Sequence, residues 1–262
     1  MKTLRNAVQA LEILARSESD TPVSEIAAAL GLPKSSASRL MSSLRDGGLV
    51  LQDPRTRRYR AGPLAWELGA RYRPPGSEMS LFTESMAHLS ETTGFTAWLA
   101  VLAGIDIIVL RHRHGTTPVQ FTVRPGQRLP AHSTAIGKAL LARLAERTLA
   151  NLFADKRRSY TDTTIGSQEE LLRELQQIRE TGIAYSKQET FTGVHAIGVC
   201  LQGPASDTAL GLGVSYPYQY ETAMNLKLTL ATLRAEAERI GRAIGDPFWG
   251  GQAEAAAAQA ER

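Results

Sequence analysis

A single cysteine, Cys200, stands among the 262 residues. One thiol excludes an intramolecular disulfide framework and a multi-cysteine zinc site. It sits in the apolar run Ala196–Leu201, where a buried, unreactive thiol is expected. No run approaches the roughly 18 consecutive apolar residues that a membrane span needs. No N-terminal stretch has the profile of a signal peptide, so a cytoplasmic chain without a membrane partner is expected. There is no internal repeat. A large charge excess is also missing: the net charge is +4, yet it is unevenly placed. Residues 1–64 hold ten Lys/Arg against six Asp/Glu, whereas the remainder holds 20 of each. A polyanion partner for the N-terminal part accounts for that split.

Catalytic constellations are missing too. Gly137-Lys138 invites comparison with a phosphate loop, but His132 stands where the first glycine belongs and Ala139 where the hydroxyl belongs. Gly211-Leu212-Gly213 has Tyr216 in place of a third glycine. Gly213-Val214-Ser215 starts like a nucleophile elbow, but Pro217 replaces the closing glycine. His112 and His114 alternate along one strand face, but arginines flank them and no acidic cluster accompanies them, so no metal site is expected. His132 and His195 are isolated. The chain reads as a non-enzyme with no catalytic residue and no cofactor.

What is present is concentrated between Val23 and Arg60. Ile26, Ala27 and Leu30 give a short helix one apolar stripe, and Gly31-Leu32-Pro33 stops it and starts the next. In the second helix Ala37, Leu40, Met41 and Leu44 recur at i, i+3, i+4 and i+7. The opposite face carries Ser35, Ser36, Ser38, Arg39, Ser42 and Ser43, with Lys34 at the helix start. Short hydroxyls and one arginine, with no carboxylate, let such a face approach a phosphate backbone and a groove floor. Gly47-Gly48 ends the helix. Leu49-Val50-Leu51 reads as a strand, Asp53-Pro54-Arg55-Thr56 as a turn and Arg58-Tyr59-Arg60 as the return strand. The hairpin tip thus presents Arg55, Thr56, Arg57 and Arg58 to phosphates or a minor groove. This order is that of a helix-turn-helix followed by a basic wing, and double-stranded DNA is the expected partner.

Around that motif, Thr3–Arg16 is expected to be a helix packing through Val8, Leu11 and Leu14. Leu64, Leu68 and Tyr72 form the stripe of a linker helix, and Pro74-Pro75-Gly76 marks a hinge. Beyond it, helices are expected over Leu81–Thr93, Ala135–Leu144, Ala145–Phe153, Ser167–Thr181 and Tyr220–Gly245. Ser167 and Glu170 suggest a capping box. Strands are expected over Thr96–Leu102, Ile105–Arg111, Val119–Val123, Ile183–Gln188, Gly193–Leu201 and Ala209–Ser215. Strand-rich halves separated by a helical block imply an α+β antiparallel sheet with helices on its faces. The expected division is 1–64 for DNA binding, 65–76 for linker helix and hinge, 77–250 for a second domain, and 251–262 for a disordered tail.

The chain resembles the IclR-type family of bacterial transcriptional regulators across almost its whole length. The matching N-terminal residues are Ala27, Gly31-Leu32-Pro33-Lys34-Ser35 and Arg39-Leu40, with the wing Thr56-Arg57-Arg58-Tyr59-Arg60. In the second domain, Leu129–Ala142 (LPAHSTAIGKALLA) is similar to the family's signature segment, as is Ile178–Ala184 followed by Glu189 and Gly193. The resemblance implies a winged helix-turn-helix joined by a helix to a GAF-like effector-binding domain. It also implies homodimers or homotetramers, and operator binding that responds to small organic acids or aromatic compounds. The effector pocket it implies involves Ala135, Ile136, Ser186, Ala196, Gly213 and Ser215, with Trp98 and Phe121 nearby, where core packing is the competing role. Relatives that take tiny keto-acids carry aspartate, cysteine and serine where this chain has Ser186, Ala196 and Gly213. That departure implies a larger, more apolar effector. Two other functions stay open at this point: a regulator whose second domain only assembles the oligomer, and a DNA-tethered enzyme acting on a small acid through Ser215 and His195.

Overall fold

The computed structural model describes residues 2–17, 19–72, 79–119, 121, 123–153, 158–204, 206 and 208–251. The expected hinge at Pro74–Gly76 and the tail beyond Gly251 lie outside them. The chain divides into two compact units, Met1–Arg73 and Pro74–Arg262. Among the described residues no helix is long and apolar enough to cross a membrane.

The first unit runs α1 (Lys2–Arg16), α2 (Val23–Leu30), α3 (Lys34–Asp46), β1 (Val50–Gln52), β2 (Tyr59–Ala61) and α4 (Pro63–Arg71). Gly31 closes α2 at φ +61°, a left-handed conformation that glycine adopts without steric cost, and its N–H reaches the Ala27 and Ala28 carbonyls. Pro33 then precedes α3 as its N-cap rather than standing in the first turn. Ile26, Met41 and Leu44 share one core with Val50 and Tyr59, and Ala37 is fully buried too, as the helical spacing of α2 and α3 predicts. On α1, Leu11 and Leu14 pack as expected and Val8 does not. Ala10 is fully buried and Ala7, Leu11, Ile13 and Leu14 pack around it, while Val8 is exposed. At about 100° per residue, a helix that buries Ala10 turns Val8, two positions earlier, to its outer side. The wing is extended by Thr21, whose backbone exchanges two hydrogen bonds of 2.8 Å with Tyr59.

The second unit contains one six-stranded antiparallel sheet in the order β5-β4-β3-β8-β7-β6. The strands are β3 (Thr96–Ala103), β4 (Asp106–Arg113), β5 (Arg128–Pro130), β6 (Ala184–Lys187), β7 (Val194–Leu201) and β8 (Leu210–Pro217). Helices α5 (Met79–Thr93) and α9 (Ala223–Ile244) cover one face; α6 (Ala135–Ala142) and α8 (Gln168–Thr181) cover the other, with α7 (Glu146–Leu152) beside them. Both faces being covered explains why β3 is apolar from Ala97 onward instead of alternating: Ala97, Leu99 and Val101 enter one core, Trp98 and Ala100 the other. Two expectations are corrected. Of the strand expected over 119–123, Gln120 and Thr122 lie outside the described residues, and Val119, Phe121 and Val123 stand in no strand; Arg128–Pro130 takes the place beside β4. The final helix starts after Thr222, whose side chain caps Asn225 N–H, and a 3₁₀ turn occupies Tyr218–Tyr220.

Glu236 of α9 is buried against α5, accepting from Ser85 Oγ at 2.5 Å and Arg239 Nε at 3.0 Å, with His88 Nδ1 at 2.7 Å. Burial opposes its ionisation, but the bonds from Ser85, His88 and Arg239 prevail and hold the carboxyl below its ordinary 4.5. A depressed native value contributes stability above the ordinary range that is lost as pH falls through the native one. The thermal midpoint of the second unit should therefore drop below about pH 4.5, and Glu236→Gln should start lower and flatten that drop. A parallel profile in the variant would remove Glu236 from the acid response.

Candidate functional site

Two sites can be built from these elements, one in each unit. In the first, the α3 core stripe turns inward, which leaves Lys34, Ser35, Ser38, Arg39 and Ser43 exposed and Ser36 and Ser42 half-buried. Arg39 makes no side-chain hydrogen bond or ion pair among the described residues, so its fork of donors is available to a base edge. The Ser43 hydroxyl is already engaged, donating to the Arg39 carbonyl at 3.2 Å.

The wing tip is shaped by Asp53. Its carboxylate accepts the N–H of Thr56 at 2.7 Å and of Arg55 at 2.9 Å. The Thr56 amide is the main reason the Asp53 carboxyl lies below its ordinary value. Arg57 closes the turn in the left-handed region at φ +59°, with its N–H on the Asp53 carbonyl. Arg55, Thr56 and Arg57 are exposed at this tip. Arg58 is exposed too, but its guanidinium donates to the Asp20 carbonyl at 2.9 Å, a tether over 38 residues that no local motif reveals. That bond uses one of its five donors to dock the wing and leaves the others exposed.

In the second unit, strand register decides which residues meet. Ser186, Ala196 and Ser215 are direct partners across β6, β7 and β8, and so point to one face in a single row. The next row is Ala184, Gly198, Gly213 and Trp98. Helix α6 lies on that row. A Cβ at Gly198 would fall 2.7 Å from Ile136 N, and one at Gly213 2.8 Å from Ile136 Cγ1, so these glycines let the helix start sit directly on the sheet.

The other row stays open and floors a cavity of about 80 Å³ that opens to solvent. Trp98, Phe121, Ala135, Ile136, Ser186, Ala196 and Ser215 line it, joined by Ala100, Ile107, Val109, Val123, Leu129, Thr134, Thr190, Phe191, Val194, Ile197 and Val214. Gly213 does not line it, being covered by Ile136. Trp98 serves as cavity wall and core at once. Ile107 and Val109 were legible in principle, because β4 alternates and pairs with β3; Thr190 and Phe191, on a turn, carried no such signal.

Most of the polar groups in the wall are already satisfied. Trp98 Nε1 donates to Ser215 Oγ at 2.7 Å, and Ser186 Oγ donates to the Ser133 carbonyl at 2.7 Å. Thr134 caps α6 by accepting from Gly137 N–H at 3.2 Å. Ser215 accepts from Trp98 and keeps its own hydroxyl proton, so an acceptor-bearing group suits this part of the cavity. His195 faces the opposite side of the sheet, with Nδ1 2.7 Å from Glu221 Oε2, away from Ser215. Cys200 is buried, and burial pushes its thiol up to about 12, so it is inert. His112 and His114 rings lie 4.5 Å apart; burial, then His114, lowers the His112 value. Among the described residues no group of three or more His, Cys, Asp and Glu could hold a metal ion.

Comparison with known proteins joins both sites. The family described as "Bacterial transcriptional regulator IclR C-terminal" matches residues 79–242, and the "IclR helix-turn-helix domain" matches residues 3–54. The HTH-type transcriptional regulator XynR of Escherichia coli K12 is 29% identical over 252 residues, covering 94% of this chain and 98% of that protein. The HTH-type transcriptional repressor AllR of the same strain is 26% identical, covering 93% and 90%. A putative IclR transcriptional regulator from Silicibacter sp. TM1040 superposes with a TM-score of 0.84 at 26% identity, covering 93% of this chain and 96% of that one. An IclR homologue from Microbacterium hydrocarbonoxydans, crystallised with 4-hydroxybenzoate, shares the fold at TM-score 0.70 and 20% identity, covering 92% and 99%. These relatives are regulators and not enzymes, and the match extends over both units. The chain therefore belongs to the IclR family of bacterial transcriptional regulators, with a helix-turn-helix DNA-binding domain and an effector-binding C-terminal domain.

Proposed function

We propose that this regulator binds its operator through Ser35, Ser36, Ser38, Arg39 and Ser42 in the major groove, with Lys34, Arg55, Thr56, Arg57 and Arg58 on phosphates or an adjacent minor groove, where Ser43 joins them by turning its hydroxyl from the Arg39 carbonyl to a phosphate. Residues 1–64 carry that role, 65–76 link, and 77–250 respond to an effector. The protein acts in the cytoplasm, needs no cofactor or metal, and works as a homodimer or homotetramer. Exposed Leu4 and Val8 of α1 and Leu64, Leu68 and Trp66 of α4 supply apolar surface for pairing; Trp66, which lies off the Leu64–Leu68 stripe, is 78% exposed.

The effector is a small carboxylic acid with an apolar or aromatic body. The observation that carries this is the cavity itself: apolar walls around the start of α6, with the Ser215 hydroxyl on the facing strand. An apolar body gains from burial in such walls, and a carboxylate suits the Ser215 hydroxyl proton. No nucleophile–base pair lies among the lining residues, which argues for binding without turnover. Binding can alter operator affinity only if the acid favours one DNA-competence state over the other.

The test is operator binding, titrated in salt, against a panel of aromatic and aliphatic acids that includes 4-hydroxybenzoate. One acid altering site-specific affinity would support the reading. Specific binding that no acid alters would leave a regulator whose second domain only assembles it. Ala196→Leu, which fills the open row, should abolish the ligand-dependent change. A response that survives in this variant would move the effector elsewhere.

A further inference from the structure

Lys138 lies within α6 and is completely buried. Its ammonium is 2.7 and 3.0 Å from the two carboxylate oxygens of Glu189 and 2.5 Å from Glu174 Oε1. Three separate pieces of chain thus meet at one nitrogen: the helix that starts the cavity, helix α8, and the turn between β6 and β7. A buried charge persists only when its partners satisfy it, and Glu189 does so with both oxygens, which fixes the orientation of the carboxylate as well as its distance.

The turn that Glu189 belongs to is closed at its base by backbone bonds, from Gln188 N–H to the Val194 carbonyl at 2.8 Å and from Val194 N–H to the Phe191 carbonyl at 3.2 Å, and side chains hold the rest of it. Gln188 sits in the left-handed region at φ +63°. The carbonyls of residues 187, 188 and 189 accept from side chains rather than from a strand: Thr163 Oγ1 at 3.1 Å, Thr161 Oγ1 at 2.8 Å and Thr164 Oγ1 at 2.6 Å. Thr190 Oγ1 donates to the Ser133 carbonyl at 2.9 Å, just ahead of α6. The residues immediately after Glu189, Thr190 and Phe191, form part of the cavity wall. Phe191 is 40% exposed, so packing alone holds it weakly.

We propose that Lys138 and Glu189 are positioning residues for the effector: their ion pair pins the 188–193 turn to α6 and thereby sets Thr190 and Phe191 as one wall of the cavity. This rests on the cavity being the effector site, as argued above. A segment bonded mainly through side chains loosens where those bonds are cut, while a strand ladder beside it stays closed.

The test is hydrogen exchange by mass spectrometry on the full chain, comparing wild type with Glu189→Gln, Thr164→Val and the double variant Lys138→Met/Glu189→Met. The double variant removes the two buried charges together and leaves Glu174, which is partly exposed, to be solvated by water, so the domain is spared an unpaired charge in its interior. Amides over 186–194 should exchange at least about tenfold faster in the double variant, less so in the single ones, with α5 and β3 unchanged. Unchanged protection of the turn in the double variant would overturn the proposal, because packing would then suffice to position it. Acceleration throughout the second unit would overturn it as well, because the pair would be a general support. Calorimetric titration with 4-hydroxybenzoate and related acids separates the two readings. Any acid that binds wild type should bind the double variant at least tenfold more weakly, and equal binding would overturn the positioning role. If no acid binds wild type the effector reading fails, while the exchange data still decide whether the pair holds the turn.

Discussion

Replacing Arg39 by alanine will weaken binding to the specific operator by about 1–3 kcal/mol and relax the preference at one base position. At about 1.4 kcal/mol per tenfold, that is a loss of roughly 5- to 150-fold. The size follows from where the residue stands. Arg39 is exposed on the outward face of α3, between small hydroxyl residues, with its guanidinium uncommitted among the described residues. A guanidinium free of internal partners can meet guanine with two parallel bonds, and nothing else on that face can replace them. Arg57 at the wing tip should behave differently. Its alanine variant should lose affinity about equally on all sequences and reduce the salt slope by about 1, as expected for one phosphate contact. Fluorescence anisotropy on operator and scrambled duplexes at several salt concentrations distinguishes the two. An Arg39→Ala protein with unchanged affinity and footprint would remove this residue from readout.

Gly137→Ala should cost the second unit about 3 kcal/mol or more, although the residue lies within a helix, where alanine is ordinarily the better residue by about 1 kcal/mol. The two effects oppose each other, and geometry decides between them. A Cβ at Gly137 would stand 2.3 Å from the Ala131 carbonyl oxygen, 2.4 Å from Ala131 Cα and 2.5 Å from the Thr134 Oγ1 that caps the helix. Two of these atoms are backbone and the third is held in place by the Pro130 carbonyl at 3.0 Å, so none can yield cheaply. Nor can α6 retreat the other way, because its start already rests on Gly198 and Gly213. A loss of about 3 kcal/mol corresponds to roughly 6–12 °C in a domain of this size. Urea unfolding followed by fluorescence, in which Trp98 and Trp249 report on the second unit, would measure it. A variant as stable as wild type would show that the segment ahead of α6 shifts more easily than its contacts indicate.

Much of the fold was legible because its signals are local. The spacing of Ala37, Met41 and Leu44 oriented α3, and with it the serine face, since helical periodicity depends on nothing outside the helix. Ser167 and Gly182 marked the ends of α8 for the same reason: a cap acts over three or four residues. The misreadings concern partners distant in sequence. Val119–Val123 has the composition of a strand, but a strand requires a neighbour, and the place beside β4 goes to Arg128–Pro130. Spacing places Val8 with Leu11 and Leu14 on the packing side, yet the buried side of α1 centres on Ala10, which at about 100° per residue leaves Val8 outside. Arg58 is no misreading, since it stays exposed at the wing, but its additional bond to the Asp20 carbonyl appears only once the chain has folded back on itself.

By itself the sequence determined that the chain places a basic helix-turn-helix and wing ahead of an α+β domain, that it lacks a catalytic constellation, and that it resembles one family of regulators. Those conclusions rest on residue types, their spacing and the distribution of charge, which exist before folding. Only the tertiary structure decided that Ser186, Ala196 and Ser215 form one open row while Gly213 lies beneath Ile136, because register across three strands sets which side chains share a face. It also gave Lys138 its role. Read along the chain, this residue is the lysine of a failed phosphate loop. In the folded protein it is a buried cation whose carboxylate partners lie 36 and 51 residues away, and a charge can be taken out of water only where the fold delivers its counter-charges.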